Sequence, residues 1–222
     1  MIYEEYVSLF RNEQEVEKLT RRILKDGCVS LPNFFDQQTS DRLMQYSRSL
    51  SDQDKMQITW QEGTPAMDVA RSDEFMRVFD SIHKARCKIE NISYAPLKPS
   101  QQAVSLPIKT VHTPGSTPFH FDDSYVNAVF AMKMPSKSRE GNLLIYKNLR
   151  RRVRPMLLSK IVARLLRHIA LLRLVIRPKE IVYREGALHI FFGDLTLHGV
   201  PDLTDGERAT FTLNAHRGKV PS

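Results

Sequence analysis

Four residues in this chain have the types and spacing for metal chemistry: His120 and Asp122 in one segment, His198 far downstream, and Arg208 ten positions after His198. Two imidazoles and one carboxylate on one face of a divalent metal leave coordination positions open for other oxygen donors. A guanidinium is a planar, permanently charged clamp suited to a carboxylate. The first pair lies in Thr117-Pro118-Phe119-His120-Phe121-Asp122-Asp123-Ser124. If that stretch is extended, alternation turns His120 and Asp122 to one face and Phe121 and Asp123 to the other, which selects Asp122 over Asp123 as the ligand.

The elements around these residues read as strands. Gly186 to Phe192 is an apolar run, Gly193-Asp194 a turn, Leu195 to Val200 a short strand carrying His198, and Arg208 to Leu213 a final strand on which Thr210 shares a face with Arg208. Upstream, Cys28 to Leu31, Ile89 to Ala95, Ala103 to Val111, Tyr125 to Met134, Asn142 to Tyr146 and Glu180 to Tyr183 are expected strands. Helical spacing covers Asn12 to Lys25, with Val16, Leu19, Ile23 and Leu24 on one stripe. It also covers Thr39 to Leu50, with Leu43, Met44 and Tyr46 inward, and Ser72 to Lys88. Ser51 to Val69, which includes Trp60, lacks periodicity and reads as a loop, either a substrate lid or a surface connection.

His-x-Asp, a distant His and an Arg-x-Thr ten residues after it resemble the Fe(II)/2-oxoglutarate-dependent oxygenases. Lys25-Asp26-Gly27-Cys28-Val29-Ser30-Leu31-Pro32-Asn33-Phe34-Phe35 resembles the N-terminal signature of the phytanoyl-CoA-dioxygenase-like and small-molecule hydroxylase branch. The likeness runs from about Lys25 to His216. It implies an α+β fold with a double-stranded β-helix (jelly-roll, cupin-like) core, flanked by N-terminal helices. It further implies Fe(II) on His120, Asp122 and His198, with 2-oxoglutarate and dioxygen as co-substrates and Arg208, aided by Thr210, on the remote carboxylate of 2-oxoglutarate. Arg184 and Lys109 are the next candidates for that clamp. The implied reaction is oxidative decarboxylation of 2-oxoglutarate to succinate coupled to oxidation of a small polar metabolite, such as an amino acid or a natural-product intermediate. Related halogenases carry Gly or Ala in place of the carboxylate ligand. Asp122 therefore favours hydroxylation over halogenation, while desaturation and ring closure use the same triad.

The remaining histidines, His83, His112, His168, His189 and His216, read as surface or packing residues, with His189 and His216 near enough in sequence to approach a pocket. A chain of 222 residues, 41% hydrophobic, is long enough for a real core and is most simply one domain. Its two cysteines, Cys28 and Cys87, imply no disulfide framework. Met1-Ile2-Tyr3-Glu4-Glu5-Tyr6 lacks the basic start and apolar core of a secretory signal, so a reducing cytoplasm is the expected compartment.

The departure from the family pattern is a basic insert at about 150–179. Arg150, Arg151, Arg152 and Arg154 precede Leu157, Leu158, Ile161, Val162, Leu165, Leu166, Ile169 and Leu172 at helical spacing. Lys160, Arg164, Arg167 and Arg173 argue against a transmembrane span. Packing on the barrel, a homodimer contact, a lid and membrane-surface attachment all stay open. The net charge of +8 raises an oxygenase that repairs alkylated nucleic acid. That reading lacks the second spaced arginine after Arg208. A cupin-like metal-binding module without catalysis leaves Arg208 unexplained.

Overall fold

The computed structural model describes residues 1–51, 63–97, 102–110, 117–135, 141–152, 161–162, 164–166 and 176–216. The N-terminal apolar stripe folds as expected. Helix α1 (Glu4–Arg11) is followed by α2 (Glu13–Asp26), in which Val16, Leu19, Ile23 and Leu24 are all buried. Asn12 caps α2 by accepting from the amides of Gln14 and Glu15, which satisfies two of the free N–H groups of the first turn. Gly27 ends it at φ 86, and a Cβ there would lie 2.6 Å from Lys147 Cβ, so both the left-handed turn and the close approach require glycine. Helices α3 (Gln37–Ser49), α4 (Pro65–Arg71) and α5 (Asp73–Glu90) follow the first strand, β1 (Cys28–Leu31).

The remaining strands are β2 (Gln102–Ser105), β3 (Ile108–Thr110), β4 (Thr117–His120), β5 (Ser124–Lys133), β6 (Leu143–Tyr146), β7 (Lys179–Ile181), β8 (Leu188–Phe191), β9 (Leu197–Val200) and β10 (Glu207–His216). They form two antiparallel sheets. The larger has the order β1-β8-β5-β10-β2, with β3 also paired to β10; the smaller is β4-β9-β6-β7. From β3 to β10 the chain passes repeatedly between them.

Alternation along the strands assigns their faces. Val126, Ala128, Phe130, Ile190 and Phe211 of the larger sheet pack outward against α2 and α5 in the main core. There Phe35, Phe75, Phe130 and Phe211 meet at centroid distances of 4.8 to 6.5 Å. Val129, Ala131 and Phe191 face the other way and pack against Leu143, Ile145 and Ile181 of the smaller sheet, so the two sheets enclose a second core. The outer face of the smaller sheet, with Phe119, Leu144, Tyr146 and Leu197, is covered by Leu149, Val162 and Leu166. The described part of the basic insert therefore packs on the sheet, beginning with α6 (Leu149–Arg152). Among the described residues, no helix is long and apolar enough to cross a membrane.

Two expectations are corrected. Ile89 to Ala95 is not a strand: α5 runs on to Glu90, Asn91 caps it in the left-handed conformation, and residues 92–97 form no regular element. Ser51 to Val69 is not wholly loop. Thr64 caps α4 and Pro65 occupies its first turn, where a missing N–H costs nothing. Trp60 lies outside the described residues, as do His112 and His168.

Candidate metal centre

Strands β4 and β9 pair so that His120 stands directly opposite His198, with ring centroids 4.3 Å apart. Phe119 and Leu197, their immediate neighbours, point to the outer face, which fixes both imidazoles inward. The third group arrives differently from the expectation. Strand β4 ends at His120, and Asp122 sits in the turn before β5, where its amide donates to the Gly193 carbonyl at 3.2 Å. Asp123 is exposed. Asp122, and not Asp123, thus faces the two imidazoles, but a turn positions it instead of strand alternation.

In this site His120 Nε2 lies 3.2 Å from Asp122 Oδ1, and His198 Nε2 lies 3.3 Å from Asp122 Oδ2. The other ring nitrogens face carbonyl oxygens, His120 Nδ1 at 2.8 Å from that of Pro118 and His198 Nδ1 at 3.0 Å from that of Thr196. A carbonyl can only accept, so each Nδ1 carries a proton, and each ring turns its Nε2 towards the carboxylate. One ligand atom from each residue falls within 4.8 Å of the others. Burial works to raise the Asp122 carboxyl pKa, but the two imidazoles overcome it and hold the group well below the usual carboxylate range. The donor set is thus nitrogen, nitrogen and anionic oxygen, oriented by second hydrogen bonds in the manner of metal-binding histidines.

These three residues line one end of a cavity of about 390 Å³ between the sheets. Arg208, Thr210, Thr212 and Asn214 line it from β10. Arg208 is 5% exposed and donates from Nη1 to the Gly141 carbonyl at 3.2 Å; no carboxylate pairs with it among the described residues. Its pKa is lowered by burial, against the pull of Tyr183. Asp122 is the only carboxylate among the lining residues, whereas Lys109 adds a second cation beside Arg208 on the neighbouring strand β3. The cavity is therefore polarised, with ligand atoms for a cation at one end and at the other a buried guanidinium that has no carboxylate partner among the described residues. Arg184, the other alternative for the clamp, does not line it.

Sequence reading missed the parts that hold this arrangement. Arg86, on α5, is 2% exposed and binds Asp194 through two bonds of 2.8 Å, with Glu90 on its Nε and the Tyr125 carbonyl on its Nη1. It is sandwiched between the rings of Tyr125 and Phe192, at 3.7 and 4.3 Å. Asp194 in turn donates its amide to the Ser124 carbonyl at 3.0 Å, so α5 anchors the turn against which Asp122 rests. The available signal was a charged residue on the apolar stripe of α5, one turn after Ile82.

Of the other histidines, His83 is buried and bonded to the Ala95 carbonyl at 3.0 Å, and His216 closes β10 without lining the cavity. His189 is fully buried on β8, its Nδ1 2.8 Å from Ser30 Oγ and its Nε2 without a hydrogen-bond partner. Burial pushes its pKa down to about 4. A group whose folded pKa lies below its unfolded value of about 6.5 contributes stability above pH 6.5 and loses it as the pH falls towards 4. The full linkage is about 3 kcal/mol, with roughly 2 kcal/mol gone by pH 5. Urea unfolding at pH 7 and pH 5 should show this loss in the wild type and a flatter profile in His189→Leu. Identical pH dependence in the two proteins would reject the assignment.

No family model matches the chain, and no curated protein matches it in sequence. Solved structures do match. A Pseudomonas putida prolyl-4-hydroxylase aligns over 91% of this chain and 95% of its own, with TM-score 0.57 and 12% identity. A Burkholderia pseudomallei oxidoreductase of the 2OG-Fe(II) oxygenase family aligns over 91% and 90%, with TM-score 0.57 and 10% identity. A non-haem α-ketoglutarate-dependent carbocyclase from nogalamycin biosynthesis aligns over 89% and 82%, with TM-score 0.61 and 11% identity. Two facing antiparallel sheets, with the chain alternating between them, thus give this protein the fold of solved 2OG-Fe(II) oxygenases.

Proposed function

We propose that this protein is an Fe(II)- and 2-oxoglutarate-dependent oxygenase with a double-stranded β-helix core, acting on a small polar metabolite by hydroxylation, desaturation or ring closure. The observation that carries this reading is the polarised cavity, with candidate ligand atoms of His120, Asp122 and His198 close together at one end and buried Arg208 at the other. Bound there, Fe(II) with 2-oxoglutarate and dioxygen supplies the oxidising chemistry. The protein's own residues do the positioning. His120 and His198 offer Nε2 because the Pro118 and Thr196 carbonyls hold the proton on Nδ1. Asp122 stays ionised and contributes one negative charge, which compensates part of a divalent cation's charge. Arg208 would hold the remote carboxylate of 2-oxoglutarate, and Thr210 lines the same cavity from the same strand. A cavity of about 390 Å³ suits small molecules and not a folded partner.

Succinate formation on incubation with Fe(II), 2-oxoglutarate and oxygen tests the activity, and a metabolite pool screened for a gain of one oxygen or a loss of two hydrogens identifies the substrate. No succinate above the metal-free control would count against the reading. Replacement of Arg208 by Ala should leave Fe(II) binding intact and weaken 2-oxoglutarate by about 10- to 150-fold, the equivalent of a charge-assisted hydrogen-bond pair of about 1.5–3 kcal/mol. The check is calorimetric titration of both variants. If affinity is unchanged, Lys109 becomes the first alternative, because it lines the same end of the cavity.

A further inference from the structure

Asn127 is a polar residue in the middle of an apolar strand, Tyr125-Val126-Asn127-Ala128-Val129-Phe130, and it is 1% exposed. A buried amide there costs free energy unless its groups are paired. Both are. The Asn127 Nδ2 donates to Asp122 Oδ2, and Ser124 Oγ donates to Asn127 Oδ1. The carboxylate sets the amide's direction, since an ionised carboxylate only accepts and so must meet the NH2 group, which leaves Oδ1 to accept from Ser124 Oγ. The packing leaves no slack, since a Cβ at Gly193 would lie 2.5 Å from Asn127 Oδ1 and 2.8 Å from Asp122 Cβ.

From this we infer that Asn127 is a positioning residue that makes Asp122 a single-oxygen ligand, a reading that rests on the metal site proposed above. The two carboxylate oxygens are inequivalent. Oδ2 accepts from the Asn127 amide and lies 3.3 Å from His198 Nε2, while Oδ1 lies 3.2 Å from His120 Nε2 and takes no bond from the amide. A free carboxylate can bind a cation through one oxygen or both. With Oδ2 held, Asp122 fills one coordination position and leaves its second oxygen out of competition with co-substrate. Ser124 acts one step further out, its Oγ donating to Asn127 Oδ1 and anchoring the far side of the amide.

The test uses the full chain and Co(II), a spectroscopic substitute for Fe(II), with affinity from calorimetry and geometry from visible absorption. Asn127→Leu keeps nearly the same volume but removes the donor. It should bind Co(II) about 10- to 100-fold more weakly, the usual cost of losing a residue that orients a ligand. Its absorption bands should change, which loss of packing alone would not produce. Ser124→Ala should show the same change in smaller degree, and it decides the matter if Asn127→Leu does not fold. Wild-type affinity and an unaltered spectrum in the folded variant would overturn the positioning role alone. Failure of the wild type to bind Co(II) would instead overturn the metal site on which it depends.

Discussion

His198→Ala and His120→Ala are each expected to abolish metal binding and turnover while leaving the fold in place. Each change removes one of three ligands, and affinity should fall by more than about 100-fold, since even outer residues that merely orient ligands cost 10- to 100-fold. The fold should survive because both rings sit at the wall of the cavity and the sheets are held by Phe119, Leu197 and the apolar residues between them. The thermal midpoint of the metal-free variant should stay close to that of the metal-free wild type. Metal added in excess should raise the midpoint of the wild type alone, because only a state that binds the ligand is stabilised by it. Calorimetric titration with Fe(II) under nitrogen checks the affinity. A histidine variant that retains stoichiometric metal would remove that residue from the site.

Arg86→Met is expected to cost about 3–5 kcal/mol of stability, the usual result of leaving one member of a buried ion pair without its partner. Burial opposes the guanidinium's charge, and Asp194, Tyr125 and Glu90 together outweigh it, so its pKa is raised. Deleting it strands Asp194 in the turn that carries the Gly193 carbonyl, on which the Asp122 amide rests. The double variant Arg86→Met/Asp194→Leu should lose less than the sum of the single changes, as two residues of one network do not act independently. Urea unfolding of the two single variants and the double variant gives the coupling directly. A loss below about 1 kcal/mol for Arg86→Met would mean that the pair contributes no more than an exposed one.

The residues of the candidate site were legible in the sequence from their types and spacing, and the sheets do set His120 opposite His198, although Asp122 joins them from a turn and not from the extended strand that alternation assumed. The stripe of α2 was equally plain, since Val16, Leu19, Ile23 and Leu24 recur at the helical period and all are buried. What could not be read was long-range pairing. Asn127 and Arg86 interrupt apolar patterns, and a buried polar group demands a partner, but Asp122 and Asp194 become those partners only when the turn at Gly193 meets the start of β5. Residues 89–95 failed for a local reason. Ile89, Ile92 and Tyr94 suit a strand, but the helix capped by Ser72 continues until Asn91 closes it.

An anaerobic titration of the wild-type protein, first with Fe(II) and then with 2-oxoglutarate, tests the central claim most directly. One Fe(II) per chain should bind saturably, then one 2-oxoglutarate whose affinity rises on metal loading, with a metal-to-ligand charge-transfer band appearing as it binds. Absence of saturable Fe(II) binding, or 2-oxoglutarate affinity indifferent to the metal, would contradict it.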